Sequence, residues 1–368
     1  VNQQARLVPL IIVGVGGIGR TLLRQMRMQR NHLRSTYGIE LPIVALADVG
    51  SMVAGDPVLD DDTIDAVIEH GLSGASGYRG SPEDEQIAVI SSLHERGFDK
   101  AIVVDATASD HTIPVLLEAA ELGHDLVLAN KRPLSAGMDV WYELMAAKKR
   151  GQAIRYEATV GAGLPVIGTL SGLVDSGDEI VSIEACLSGT LNYLCTSLED
   201  GQQFSQAVRS ARCQGITEPD PRDDLCGLDV ARKALILTRM TGKRAELSDV
   251  ARENLVPEHL MSASVDEFLA SLESLDTSMS ARQHNAVEQG MVLRYVAEIR
   301  GSTSRVALAQ VPVNTPLGRL RGTDNMLHFR TARYSERTMV IVGPGAGRDV
   351  TAGGVFADIL SIATMSRC

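Results

Sequence analysis

Short apolar runs alternate with amphipathic stretches through the first 150 residues of the chain. Segments 8–15, 42–47, 100–105 and 125–129 are apolar and of strand length, which suits strands buried on both faces. Between them, 20–29, 62–70, 112–123 and 140–150 carry apolar residues at helical spacing, while 31–38 reads as an insertion. Strand–helix alternation of this kind predicts an α/β unit with a largely parallel sheet. The pattern changes beyond 154–160. Strands are expected at 179–188, 288–300, 305–313 and 338–342, and helices at 199–212, from about Asp224 onward, and at 351–363. Residues 244–290 are polar and predict short helices. At 368 residues the chain exceeds the size at which one core stops growing, so two domains are expected.

The first run feeds Gly14-Val15-Gly16-Gly17-Ile18-Gly19 and then a helix. A strand, GxGxxG and a helix in that order form the dinucleotide-binding fingerprint, in which glycines let the backbone approach a pyrophosphate at the helix N-terminus. Asp48 ends the second strand. An acid there either takes the ribose hydroxyls of NAD or caps the turn before Gly50. No Arg or Lys follows Asp48 until Arg79, which leans the reading towards NAD over NADP. Thr107, just past the strand at 100–105, places a small hydroxyl at the nucleotide crevice. Lys131 ends the strand at 125–129; it either meets a phosphate or carboxylate or is a solvated loop lysine.

Composition narrows the partners. Net charge is −11, aromatics make up 4% and there is one tryptophan, which together exclude a polyanion-binding or base-stacking surface. Five cysteines without a CxxC pair suit reduced thiols in the cytoplasm. The N-terminal segment lacks the pattern of a signal peptide, and no stretch of 18 apolar residues predicts a membrane span.

The densest chemistry lies at 215–239. Glu218, Asp220, Asp223, Asp224 and Asp229 fall within twelve residues, followed by Lys233. Pro219 and Pro221 are expected to keep the first part non-helical. On the helix after them Asp229 and Lys233, four apart, share a face. Alone, such a pair is an ordinary exposed ion pair; next to the acidic turn it suits a small charged substrate. A divalent-metal site is the other reading of the acids. None of the eight histidines lies between 125 and 258, so a lysine is the available proton donor in this segment. Arg222, Asp220 and Asp223 read as turn or ion-pair residues.

Six segments taken together resemble the homoserine dehydrogenase family: GVGGIG (14–19), ANKRP (129–133), YEATVGAGLPVIGTL (156–170), LSGTLNYL (187–194), GITEPDPRDDLCGLDVARKALIL (215–237) and GPGAGRDVTAGGVFADIL (343–360). The resemblance implies an α/β protein: a Rossmann domain at 1–153 completed by 340–368, and a second α/β domain at 154–339 that binds substrate and forms a homodimer. It implies a short monofunctional form without aspartate kinase or ACT domains, reducing L-aspartate 4-semialdehyde to L-homoserine with NAD or NADP. By the same resemblance Lys233 would be the acid/base, supported by Asp224, and Glu218 and Asp229 would hold the substrate ammonium. Gly189 and Thr190 would lie in the substrate pocket, Lys131 would reach the substrate or nicotinamide, and Gly347 would lie beside the cofactor. Glu157, Val160, Ala162 and Leu164 would hold a monovalent cation such as Na+, although Gly161-Ala162-Gly163 also reads as a tight turn. The competing functions are a catalytically silent nucleotide sensor and a related amino-acid dehydrogenase with a different substrate.

Overall fold

A computed structural model of the chain describes residues 5–48, 50–77, 79–80 and 83–365. Contacts divide the chain into two units, 1–163 with 346–368 and 164–345, against an expected boundary at 153/154 and a return at 340. Both units mix helices and strands, as the α/β reading requires.

The first unit holds β1 (Arg6–Leu7), β2 (Leu10–Val13), β3 (Ile39–Glu40), β4 (Ile43–Asp48), β5 (Ser51–Ala54), β6 (Arg79–Gly80), β7 (Ile102–Asp105), β8 (Asp125–Leu128) and β9 (Ile154–Arg155). Its main sheet runs β6-β5-β4-β2-β7-β8-β9, and the five strands from β4 to β9 are parallel. The chain leaves β2 to one side for β4 and to the other for β7, so the topological switch point lies at the carboxyl end of β2. All four residues of β2, LIIV, are buried, as a central parallel strand covered on both faces demands. The helix Gly17–His32 covers one face with Leu22, Leu23 and Met26. The C-terminal helix Arg348–Thr364 packs beside it through Val355, Phe356 and Ile359, which join the core of Leu10, Ile12 and Val104. The extra residues at 31–38 lengthen the helix: it continues to His32, widens into a π-helical turn over Leu33–Tyr37 and stops at left-handed Gly38 (φ 62°). The antiparallel β4–β5 hairpin was not evident in the sequence, because its buried strand spans only four residues.

The second unit is built on a sheet ordered β11-β13-β12-β10-β14-β15, comprising β10 (Ile180–Cys186), β11 (Val250–Arg252), β12 (Met291–Arg300), β13 (Thr303–Pro312), β14 (Asp324–Thr331) and β15 (Met339–Pro344). Helices Gly189–Glu199, Leu228–Met240 and Asp276–Glu288 pack on β12. Helix 199–212 of the sequence reading is in fact Phe204–Cys213, since the preceding helix ends at Glu199 and the chain reverses at Gly201. Arg294 on β12 is 1% exposed, and its guanidinium donates to the carbonyls of Leu293, Leu317, Gly318 and Leu320 and pairs with Glu199. It thereby fastens the loop leading into β14. Among the described residues no helix is long and apolar enough to cross a membrane, and the four described cysteines are free thiols; Cys368 lies outside them.

Candidate active site

In the first unit the glycine turn is shaped by close backbone approach. A Cβ on Gly19 would sit 2.0 Å from the Gly14 carbonyl oxygen, and one on Gly14 (φ 96°) would sit 2.7 Å from the Thr107 amide nitrogen. Both distances are far inside van der Waals contact, so only glycine lets the turn fold against β2 and the segment after β7. Gly16 caps the helix that begins at Gly17, is exposed, and has open space where a Cβ would stand. Ile18 is half-buried behind it. The backbone amides of this first turn therefore face a cradle at the switch point, which fits a dinucleotide pyrophosphate. Asp48 ends β4 and is paired in register with Ser51 across the hairpin. Thr107 follows β7, and Lys131 stands at the N-terminus of the short helix Arg132–Ser135, after β8. The cofactor residues named from sequence thus gather at the carboxyl ends of β2, β4, β7 and β8. Gly347 (φ 123°) starts the C-terminal helix of the same unit.

Of the cation residues, Glu157, Val160 and Ala162 belong to this unit and Leu164 to the other. Ala162 is the one described non-glycine residue with positive φ, 56°. The turn that carries it is pinned to the C-terminal helix: Glu157 N–H donates to Asp358 Oδ2 at 2.8 Å, and a Cβ on Gly163 would meet the Val350 carbonyl at 2.5 Å. Burial pushes the Asp358 carboxyl up to about 7. The sequence had offered no reason to single out Asp358. Among the described residues no cluster of His, Cys, Asp or Glu could hold a metal ion, so the divalent reading of the acids at 218–229 gains no support.

In the second unit the acidic stretch folds into two helices, Pro221–Leu225 and Leu228–Met240. Pro221 opens the first rather than preventing it, because proline suits the first helical position, and Asp220 caps it by accepting from Arg222 N at 3.0 Å. Arg222 grips Asp220 and donates to the carbonyls of Leu260, Met261 and Ala263, so both residues are structural. Asp223 is exposed. Gly227 joins the helices in the left-handed region (φ 69°), where a Cβ would lie 2.0 Å from Tyr295 Oη. After that kink Asp229 lies close enough to Asp224 for its charge to act on the carboxyl there.

Lys233 is 10% exposed at its side chain; Nζ donates to the Leu187 carbonyl at 2.6 Å and pairs with Asp229 at 2.8 Å. Asp224 accepts from the Glu218 amide at 2.8 Å and lies 2.9 Å from Thr190 Oγ1. Burial, with the charges of Glu218 and Asp229 adding to it, pushes Asp224 up to about 6 against those hydrogen bonds. Thr190 Oγ1 is also 2.9 Å from the Ile216 carbonyl. One hydroxyl hydrogen cannot serve both acceptors. With Asp224 protonated both contacts are satisfied, since the acid donates to Thr190 and Thr190 donates to Ile216. Gly189 begins the helix capped by Ser188, and its position is crowded by the Thr323 carbonyl, 3.1 Å from where a Cβ would stand. Glu218 itself is exposed. The backbone carbonyls of Leu187 and Ile216, which orient Lys233 and Thr190, carry no side-chain signal by which a sequence could reveal them.

Residues 165–360 match the family model for homoserine dehydrogenase, and residues 14–157 match that for the homoserine dehydrogenase NAD binding domain. The chain belongs to the homoserine dehydrogenase family. It is 37% identical over 357 residues to a maize chloroplastic bifunctional aspartokinase/homoserine dehydrogenase 2, covering 96% of this chain and 38% of that protein. It is 35% identical to the Escherichia coli bifunctional aspartokinase/homoserine dehydrogenase 2, covering 99% of this chain and 44% of that protein. The chain therefore spans less than half the length of these relatives. Among solved structures it is similar to a Candida auris protein of unknown function (TM-score 0.86, 31% identity, 98% and 99% of the two chains). It is also similar to a hyperthermophilic archaeal homoserine dehydrogenase in complex with NADPH (TM-score 0.74, 25% identity, 98% and 99%).

Proposed function

We propose that this protein interconverts L-aspartate 4-semialdehyde and L-homoserine with a nicotinamide cofactor. The observation that carries the proposal is the buried Lys233, held by Asp229 and the Leu187 carbonyl in the same helical pair as the protonatable Asp224. The bound reduced cofactor supplies the hydride. Reduction of an aldehyde then leaves negative charge on its oxygen, and the Lys233 ammonium stabilises that charge and donates the proton. In the reverse direction Lys233 takes the hydroxyl proton. Asp229 favours the charged lysine, and Asp224 supports it as a neighbouring proton store. Glu218 and Asp229 hold the substrate ammonium, with Gly189 and Thr190 forming the adjacent wall. Lys131 serves the nicotinamide and substrate end of the first unit's crevice.

The cradle made by Gly14, Gly16, Gly17, Ile18 and Gly19 takes the pyrophosphate. Asp48 at the end of β4 supports NAD, because a carboxylate there accepts from ribose hydroxyls and repels a 2′-phosphate. The turn through Glu157, Val160, Ala162 and Leu164 takes Na+ by backbone carbonyls, a reading supported by the left-handed Ala162. The protein acts as a homodimer in a reducing, cytoplasmic compartment.

The test is the oxidation of L-homoserine followed at 340 nm with NAD+ and NADP+, alongside other amino alcohols and amino acids. Homoserine is expected to be preferred, and Lys233→Ala is expected to abolish turnover while retaining cofactor binding. Near-normal kcat in Lys233→Ala would remove the lysine from its role. Activity confined to another amino-acid substrate would favour a related dehydrogenase.

A further inference from the structure

Asp105 ends β7 beside the switch point and is 0% exposed. Its Oδ1 accepts from the Thr107 amide at 2.9 Å and the Thr107 hydroxyl at 2.7 Å. Its Oδ2 accepts from the Thr112 hydroxyl at 2.6 Å and from Asn130 Nδ2 at 3.0 Å. The other Asn130 amide hydrogen goes to the Ser109 carbonyl at 2.7 Å, and Asn130 Oδ1 accepts from Arg132 N at 3.1 Å. The Asp105 backbone carbonyl in turn accepts from Ala129 N at 2.8 Å. One buried carboxylate thus ties together the ends of two parallel strands. Burying an acid this completely is costly; four donors from three residues offset part of the cost, and burial still pushes the Asp105 carboxyl above the usual carboxylate range.

The two arms of the network lead to different places. One arm holds Thr107, whose backbone lies against the space a Cβ on Gly14 would need. The other holds Asn130, which sets the turn carrying Lys131. A core acid with a purely structural task would have no need to reach both segments that border the dinucleotide cradle.

We propose that Asp105 is the positioning residue of the cofactor site, fixing Thr107 against the glycine turn and, through Asn130, the Lys131 turn. This rests on the reading of the first unit as the cofactor site. In Asp105→Asn the new amide nitrogen faces either Asn130 Nδ2 or the Thr107 backbone amide, donor against donor, so one arm is released whichever way the amide turns. Thr112 bonds the same carboxylate oxygen and takes only a longer contact, 3.2 Å, from Asn130 Nδ2, so Thr112→Val removes a hydrogen bond while Asp105 and the Ser109 carbonyl still hold Asn130.

The experiment titrates NADH and NADPH fluorescence against the full-length wild-type protein, Asp105→Asn, Asn130→Ala and Thr112→Val, without homoserine, and records the melting temperature of each. Asp105→Asn and Asn130→Ala are expected to raise the cofactor Kd about tenfold, the equivalent of one net hydrogen bond. Thr112→Val is expected to lower the melting temperature comparably and to leave Kd within about twofold. A Kd that follows melting temperature across all three variants, or one unchanged in Asn130→Ala and Asp105→Asn, overturns the assignment. Wild-type protein that binds neither NADH nor NADPH overturns the cofactor reading as well. If Asp105→Asn fails to fold, the Asn130→Ala and Thr112→Val comparison decides alone.

Discussion

Asparagine at position 224 should stabilise the protein in a pH-dependent way while disabling the chemistry proposed for it. Asp224 titrates at about 6, against 3.8 for an unperturbed aspartate, mainly because of burial. The native state therefore holds this proton more tightly than the unfolded chain does. Below the unfolded value the site is protonated in both states and costs nothing. As pH rises through the folded value the native carboxyl ionises in a place that disfavours the charge, and stability is lost between about pH 4 and 6. A shift of about two units corresponds to about 3 kcal/mol; allowing for partial solvation, about 1–3 kcal/mol remains. Asparagine reproduces the hydrogen-bond pattern of the protonated acid: its oxygen accepts from the Glu218 amide, and its NH2 donates to Thr190, which donates to Ile216. About a third of that loss is already present at pH 4.5, so Asp224→Asn should melt about 1–4 °C above wild type at pH 4.5 and about 2–12 °C above it at pH 8, using 2–4 °C per kcal/mol for a unit of this size. Calorimetry of both proteins from pH 4.5 to 8 gives the difference directly. A melting difference that does not change with pH, or an asparagine variant less stable than wild type at pH 8, would refute the argument from Asp224 burial and the Thr190 geometry.

Two further outcomes are expected. Glu218→Leu should raise KM for homoserine about tenfold or more with little change in melting temperature, since an exposed carboxylate contributes to binding rather than to folding. Steady-state kinetics and a melt separate the two, and unchanged KM with lost stability would make Glu218 structural. Gly227→Ala should cost roughly 2–4 kcal/mol by chemical denaturation, combining left-handed strain with overpacking against Tyr295. Tyr295→Phe in the same chain should recover part of that loss, and no recovery would mean that Tyr295 Oη is not the obstacle.

Much of the architecture was legible because it depends on local rules. The strand, GxGxxG and helix at 8–29 announce a parallel sheet with a nucleotide cradle, since the glycines, the apolar run and the helical spacing all bear on one backbone path. Lys233 and Asp229 could be paired in advance because a helix places residues four apart on one face. Element ends were harder to place. The sequence reads as one helix from about Asp224 after a proline-broken loop, yet Gly227 divides it, and its left-handed backbone and the hydroxyl of Tyr295, arriving from β12, are what make a glycine necessary there. Strand β14 escaped notice although β15 follows it closely; its other partner, β10, lies far back in the sequence.

What the chain order determined by itself was therefore the kind of chemistry: an ammonium donor, a cluster of acids and a glycine cradle. The tertiary structure decided which acids matter. Asp220 was spent on capping and on Arg222, Asp223 was left in solvent, and Asp224 was half-buried against Thr190 so that its proton is held near neutrality. It also drew in Asp105, Asp358 and the carbonyls of Leu187 and Ile216. The physical reason is that a side chain's identity fixes what it can donate or accept, whereas its charge state and its partners depend on desolvation and on groups brought close only by the fold.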